Sequence, residues 1–308
     1  MRGRTQPLEG VVVIDFTHVL AGPFCTMLLA DAGATVIKVE PTKGDFARTR
    51  GVLGVVAPGE QVSAYLAAVN RGKQSITLDL KSDSGLSLAS ERIGQAGLVV
   101  ENFSSGTVSR LGLGFDEART ANRRLITASI SLDGSDTAGG PSRLGLALIA
   151  EGEAGTFHQP LDHRESPLPI SSALGDMATG LACYAAICTA LLERERTGVG
   201  GHVDISMIRT LLSLDSAAVA THSLMKRTLG AVSPDDILLR TNTNPYGFFR
   251  CIDGHVAIAV NNDQTWAQLL EAIGRSDVVT DPRSSSATTG ALESTRCARS
   301  SSPGRVRA

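Results

Sequence analysis

Asp176 is the side chain whose setting most invites chemistry. It stands in Ala173-Leu174-Gly175-Asp176-Met177-Ala178-Thr179-Gly180, where a long apolar run begins. A carboxylate in that place has two readings. As a helix N-cap it would accept hydrogen bonds from orphan backbone N–H groups, a role for which Asp is favoured. As a nucleophile it would be stabilised as the anion near the helix N-terminus. Glycines on both sides leave it open to approach, and it could attack an activated acyl group where water is excluded. Other chemistries lack their residues. The phosphate loop G-x-x-x-x-G-K-[ST] is absent, and Gly22 lacks the companions of G-x-G-x-x-G. Neither H-E-x-x-H nor a comparable metal set occurs among the six histidines, and G-x-S-x-G is missing.

The elements that must position Asp176 follow from periodicity. Val11-Val12-Val13-Ile14-Asp15 is a β-branched run of the buried parallel type. After a break at Ala21-Gly22-Pro23, Phe24 to Asp31 has helical spacing, and Ala34 to Val39 is a second strand. This is a βαβ unit, which leads to a parallel sheet. Further strands are expected at Ser75 to Leu80, Leu98 to Val100, Leu125 to Ser131 and His202 to Ser206. Helices are expected at Ser84 to Ala96, Met177 to Arg196 and Arg209 to Met225, and residues 133–172 read as irregular. Phe248 to Cys251, Asp253-Gly254 and Val256 to Val260 read as a hairpin, followed by a helix from Gln264 to Ile273. The expected fold is a doubly wound, Rossmann-like α/β large domain with ligands at the carboxyl ends of its strands, followed by a smaller α+β domain.

With 308 residues, 42% of them apolar, there is material for about two domains. The 29 basic and 31 acidic residues nearly balance, so nucleic acid and anionic membranes are not the expected partners. No uninterrupted run of 18 apolar residues occurs, and no membrane span is expected. Five scattered cysteines (25, 183, 188, 251 and 297) without a C-x-x-C pair point to reduced thiols and a cytoplasmic location.

Several blocks together resemble the family III CoA-transferases, the group that includes formyl-CoA:oxalate and carnitine CoA-transferases and the α-methylacyl-CoA racemases. They begin with Leu8-Glu9-Gly10 and Asp15-Phe16-Thr17-His18-Val19-Leu20-Ala21-Gly22-Pro23. Gly33 to Glu40, Gly44-Asp45 with Arg48, and Asn70-Arg71-Gly72-Lys73 through Lys81 follow. Val100-Glu101-Asn102-Phe103, Arg110-Leu111-Gly112, and Gly175-Asp176 through Gly198 to Ile205 continue the series, which closes with Asn244 to Gly247, Asp253-Gly254 and Asn262-Asp263. The resemblance implies an enzyme without a permanent cofactor whose substrates are an acyl-CoA thioester and a carboxylic acid. It implies a homodimer of interlocked chains. Asp176 is implied as the nucleophile, passing through a mixed anhydride and an aspartyl-CoA thioester, with the Gly175-Asp176-Met177 turn supplying some of the N–H donors to the oxyanion. His18, Lys43, Arg48, Asn102, Phe103, Arg110 and Met207 are implied as contacts of CoA. The competing readings are a structural histidine for His18, exposed charge for Lys43 and Arg48, and a solvated surface side chain for Arg110.

Departures from the family pattern shape the expectation. Where the racemases carry a proton-transferring histidine this chain has Leu146, with His158 and His163 off the motif. Transferases often have Tyr-Asp in place of Leu146-Ala147, Leu20 replaces the glutamine of formyl-CoA transferases, and Ser104-Ser105 replaces Arg-Pro. Rivals to the transferase reading are a racemase-like enzyme and a truncated, non-catalytic CoA-binding remnant. The expected organisation is a CoA-binding large domain over 1–215, a linker over 216–240 and a partial small domain over 241–283. Residues 284–308, with seven serines and four arginines, read as a disordered or frameshifted tail, the resemblance ending at Arg283.

Overall fold

Strand β1 (Val12–Asp15) forms where β-branched residues favour extended backbone. A computed structural model describes residues 6–57, 60–134, 143, 145–156, 173–229 and 245–277. Helix α1 (Ala21–Asp31) starts three residues before the expected Phe24, because Pro23 falls in its first turn, where a missing N–H breaks no hydrogen bond. It leads to β2 (Thr35–Glu40), which pairs in parallel with β1. A short hairpin not foreseen from sequence, β3 (Leu53–Ala57) and β4 (Glu60–Ser63), precedes α2 (Ala64–Asn70) and β5 (Gln74–Thr77). Strand β5 stops at Thr77, short of the expected Leu80, so Leu78, Leu80 and Lys81 leave the sheet.

Helix α3 (Asp83–Gln95) and β6 (Leu98–Glu101) complete the next unit. Two short helices follow, α4 (Thr107–Leu111) and α5 (Phe115–Ala121), then β7 (Ile126–Ser131). Part of the stretch expected to be irregular is helical: α6 spans Ala147–Ala154. Next come α7 (Leu174–Thr197), β8 (His202–Ser206) and α8 (Met207–Leu214). The six strands form one parallel sheet in the order β5-β2-β1-β6-β7-β8. Alternate strand residues face opposite layers. Val13, Leu98, Val100, Ile126 and Ala128 pack against α1 and α7, whereas Ile14, Val39 and Val99 pack with Ala89 and Ile93 of α3. The chain leaves β1 toward β2 and β5 and returns through β6 to the other half, so the switch point lies between β1 and β6.

The chain divides into two units at Asp215/Ser216. In the second unit, Ser216–Leu229 is a helix, α9, which with α8 covers the helix expected from Arg209 to Met225 in two pieces. The hairpin β9 (Tyr246–Arg250) and β10 (His255–Ala259) closes through a bond from Cys251 N–H to Gly254 O (3.0 Å). Helix α10 (Asp263–Ala272) begins in a capping box between Asn262 and Thr265. His158, His163, Asn244 and residues 278–308, the tail among them, lie outside the described residues.

Helix α7 is long and apolar enough by length and composition to cross a membrane. Here it is a sheet-covering helix, with Cys183 and Ile187 wholly buried against α1 and the strands. Gly180 permits the close approach: a Cβ there would stand 2.5 Å from Ala21 O and 3.0 Å from the Phe24 ring. Gly180→Ala should therefore push α7 off α1 and lower stability by about 1–3 kcal/mol, read as an earlier urea midpoint by circular dichroism.

Candidate active site

Buried charges sit at the carboxyl ends of β1 and β2. Asp15 is fully buried and accepts from Thr17 Oγ1 (2.5 Å), Thr26 Oγ1 (2.6 Å) and Lys73 Nζ (3.1 Å). Lys73 also donates to Pro23 O (2.8 Å) and Asn70 Oδ1 (2.9 Å), tying α1 and α2 to the strand. Burial pushes the Asp15 carboxyl up, but Lys73, Lys38 and the two hydroxyls outweigh it and hold the group below its ordinary range. Beside it, buried Lys38 donates to Thr17 O (2.7 Å) and pairs with Asp45 (2.8 Å).

These anchors shape the loop from Thr17 to Leu20. The Asn102 side-chain amide grips the His18 backbone twice: its Oδ1 accepts from His18 N–H (2.7 Å) and its Nδ2 donates to His18 O (2.9 Å). Val19 is consequently held at φ 67°, a left-handed conformation strained for a β-branched residue. Its N–H reaches Asp45 Oδ1 at 3.4 Å. The His18 ring leans on Phe103, with centroids 5.4 Å apart. Burial lowers the His18 pKa, Asp45 opposing, so the ring is predominantly neutral at pH 7.

Of the cavities that border Phe103, one of about 570 Å³ lies along β7 and β8, and two others open at the switch point. The larger of these two, about 450 Å³, has a floor of Phe16, Leu78, Leu80 and Phe103 and carries His18, Lys43 and Lys81. The smaller, about 70 Å³, is lined by Ala21, Asn102, Phe103, Asp176 and Met207, among others. Phe103 belongs to both. The structure thus gathers Asp176, Asn102, Phe103 and Met207 around one space, with His18 and Lys43 around the adjoining one. Arg48 and Arg110 stand apart. Arg48 lines neither cavity, and its fork is engaged twice by Glu40 at 2.6 Å. Burial would raise Glu40, but Arg48, Ser75 and the Asp45 N–H hold its carboxyl down at about 2. Arg110 is exposed and folds back onto Thr107 Oγ1 (2.7 Å), lining neither cavity.

Asp176 is the third residue of α7 and not its N-cap, which is Ala173. Burial chiefly, and then the charge of Glu151, pushes its carboxyl up to about 6. Glu151, on α6, accepts from Gly175 N–H at 2.8 Å, and Met177 N–H is bonded to Ala173 O at 3.0 Å. Those two amides are engaged, contrary to the expectation that they face an oxyanion. Leu146, the N-cap of α6, is half exposed. Glu151, Leu78, Leu80 and Lys81 were not singled out from the sequence. The available signal for Glu151 is an acid directly after the apolar run Leu148-Ile149-Ala150, and for the other three their place at the end of the family-like stretch Asn70 to Lys81.

The sequence model of CoA-transferase family III matches residues 8–298, running past Arg283, where the resemblance had been expected to end. An acyl-CoA transferase of Fusarium pseudograminearum is 39% identical over 283 residues, which cover 90% of this chain and 60% of the relative. A succinyl-CoA:mesaconate CoA-transferase of Haloarcula hispanica is 35% identical, covering 89% of this chain and 69% of the relative. This chain therefore spans only some six- to seven-tenths of those relatives' length. The crystal structure of Rv3272 from Mycobacterium tuberculosis superposes with a TM-score of 0.81 at 32% identity, over 96% of this chain and 76% of that one.

Because Asp15 titrates below its ordinary 3.8 in the folded chain, its network stabilises the fold above about pH 4 and is lost as pH falls through the folded value. Asp15→Asn leaves Lys73 buried without its anion. It should cost about 3–5 kcal/mol at pH 7 and flatten the acid side of the stability–pH curve, measured by urea unfolding between pH 3 and 7.

Proposed function

The chain belongs to CoA-transferase family III, and from that premise we propose that it moves CoA from an acyl-CoA thioester to a carboxylic acid through Asp176. The Asp176 carboxylate attacks the thioester carbonyl, forming a mixed anhydride and releasing the CoA thiolate. The thiolate then attacks the aspartyl carbonyl, which yields an aspartyl-CoA thioester and frees the donor acid. The acceptor carboxylate repeats the two steps in reverse order: it displaces CoA to form a new anhydride, and CoA attacks the acceptor's carbonyl to regenerate Asp176. Each exchange is nearly balanced in energy, so positioning does most of the work.

One observation carries the reading: Asp176 stands in a small, partly enclosed space that shares Phe103 with a larger cavity lined by His18, Lys43 and Lys81. A long ligand suits that pair. Its phosphates would meet the lysines, its thioester would lie beside Asp176, and the Phe103 ring would pack along the chain between them. With its carboxyl at about 6, Asp176 is about nine-tenths ionised at pH 7. Its poorly solvated charge is then available for attack. Its partial burial also limits the approach of water to the anhydride. An interlocked homodimer and a cytosolic location belong to the same reading; the free thiols of Cys25, Cys183, Cys188 and Cys251 fit a reducing compartment. Because the Haloarcula relative's name pairs succinyl-CoA with mesaconate, small dicarboxylates are the first substrates to try.

Incubation with succinyl-CoA, a hydroxylamine quench and peptide mass mapping should place a hydroxamate on Asp176, and Asp176→Ala should show none. A soluble chain that binds CoA yet forms no adduct would favour the non-catalytic remnant instead. The rate of adduct formation should climb with pH through a midpoint at about 6 and level off above about pH 7, since only the carboxylate attacks. Lys43→Ala and Lys81→Ala should raise KM for the thioester more than they lower kcat, an effect that shrinks with added salt.

A further inference from the structure

We propose that Glu151 is a positioning residue of this reaction: from α6 it holds the first turn of α7, so that Asp176 stands at its cavity with a second buried carboxylate behind it. The proposal rests on Asp176 being the nucleophile. Glu151 is only 3% exposed, in a helix whose neighbouring residues Leu148, Ile149 and Ala150 are apolar. A carboxylate buried that far is costly unless it is hydrogen-bonded. The bond found is to the backbone of Gly175, the residue before Asp176, at 2.8 Å. Among the described residues no lysine or arginine forms an ion pair with Glu151.

The contact needs two helices at close quarters, and Gly175 allows it. A Cβ at that position would lie 3.2 Å from Ala147 Cα and 3.3 Å from Ala147 O. Helix α6 is thus a brace set directly against the turn that presents Asp176. Other ionisable groups on the elements around this turn are differently engaged. Arg143, across the small cavity, is bridged to Asp133 and Glu153. On α1, Asp31 pairs with Arg71, while the Cys25 thiol meets Cys183 of α7. On α8, Arg209 makes interactions of its own.

Placing like charges together has a consequence for covalent chemistry. Repulsion from Glu151 disfavours the charged form of Asp176, adding to burial. Protonation removes that charge, and so does acylation. The same repulsion therefore favours the anhydride and the aspartyl thioester over the free carboxylate. Glu151 would act on the reaction without touching substrate, through the angle of the turn and through the energy of the uncovered anion.

Glu151→Gln separates the two effects, since it keeps an oxygen for Gly175 N–H and removes the charge. Trapping of the Asp176 adduct from succinyl-CoA, followed from pH 5 to 8, is the measurement. The acid limb of Glu151→Gln should move to lower pH, and the fraction of enzyme trapped as adduct at pH 7.5 should fall. Glu151→Ala loses the acceptor as well, and its plateau should drop about tenfold or more without recovering at high pH. A Glu151→Gln protein with the wild-type limb and the wild-type adduct fraction would overturn the part played by the charge, and a Glu151→Ala protein with the wild-type plateau would overturn the positioning role. Failure of the underlying reading looks different: wild-type protein without adduct, or Asp176→Asn that retains turnover, overturns Asp176 as nucleophile irrespective of Glu151.

Discussion

The Asp15 carboxylate, out of contact with water at the end of β1, is the constraint on which the rest of the site depends. A lone buried anion would be prohibitively costly, so the fold surrounds it with Lys73, Thr17 and Thr26. Each partner comes from a different piece of the chain. Lys73 precedes β5, Thr26 lies in α1 and Thr17 starts the loop after β1. Satisfying one charge thus fixes the relative placement of four elements. Lys38 carries the network onward to Asp45, and the Asn102 clamp completes the loop that lies between the two cavities.

Strain and repulsion sit on top of this rigid base. Val19 at positive φ persists because bonds on either side over-determine the backbone. Asp176 persists with a raised pKa because α7 is packed between α1 and α6 and cannot retreat. Both unfavourable features border the same small region around Phe103. Functional sites are where such costs are expected, since shifted titration and backbone strain cluster there.

The two arginines that stand apart show how residue type misleads when partners are unseen. Arg48 has the charge and the position in sequence to meet a phosphate, but Glu40 from the adjacent strand end takes its fork. That pairing turns Arg48 into a clasp on the loop after β2. Asn102 likewise gives its side-chain amide to the His18 backbone and so holds the loop at His18 and Val19. The engaged Gly175 and Met177 amides belong to the same class: spacing along a helix cannot reveal which N–H already has an acceptor.

Much was legible without coordinates. The β-branched runs at residues 12–15, 35–40, 98–101 and 126–131 announced strands, because burial on both faces demands continuous apolar sequence. Asp176, with its flanking glycines at the head of an apolar helix, stood out for the same local reasons. What local sequence could not decide was every effect made by residues far apart in the chain. Glu151 and Gly175 are 24 positions apart, His18 and Asn102 are 84, and Asp15 and Lys73 are 58. Helix α6 went unseen because its neighbourhood is rich in glycine and serine, and its stability comes from packing on α7 and α8. The sequence determined which groups exist and which elements carry them. Only the tertiary structure decided which of them meet, and meeting is what makes the Asn102 amide a clamp on His18 and the Arg48 guanidinium a clasp on Glu40.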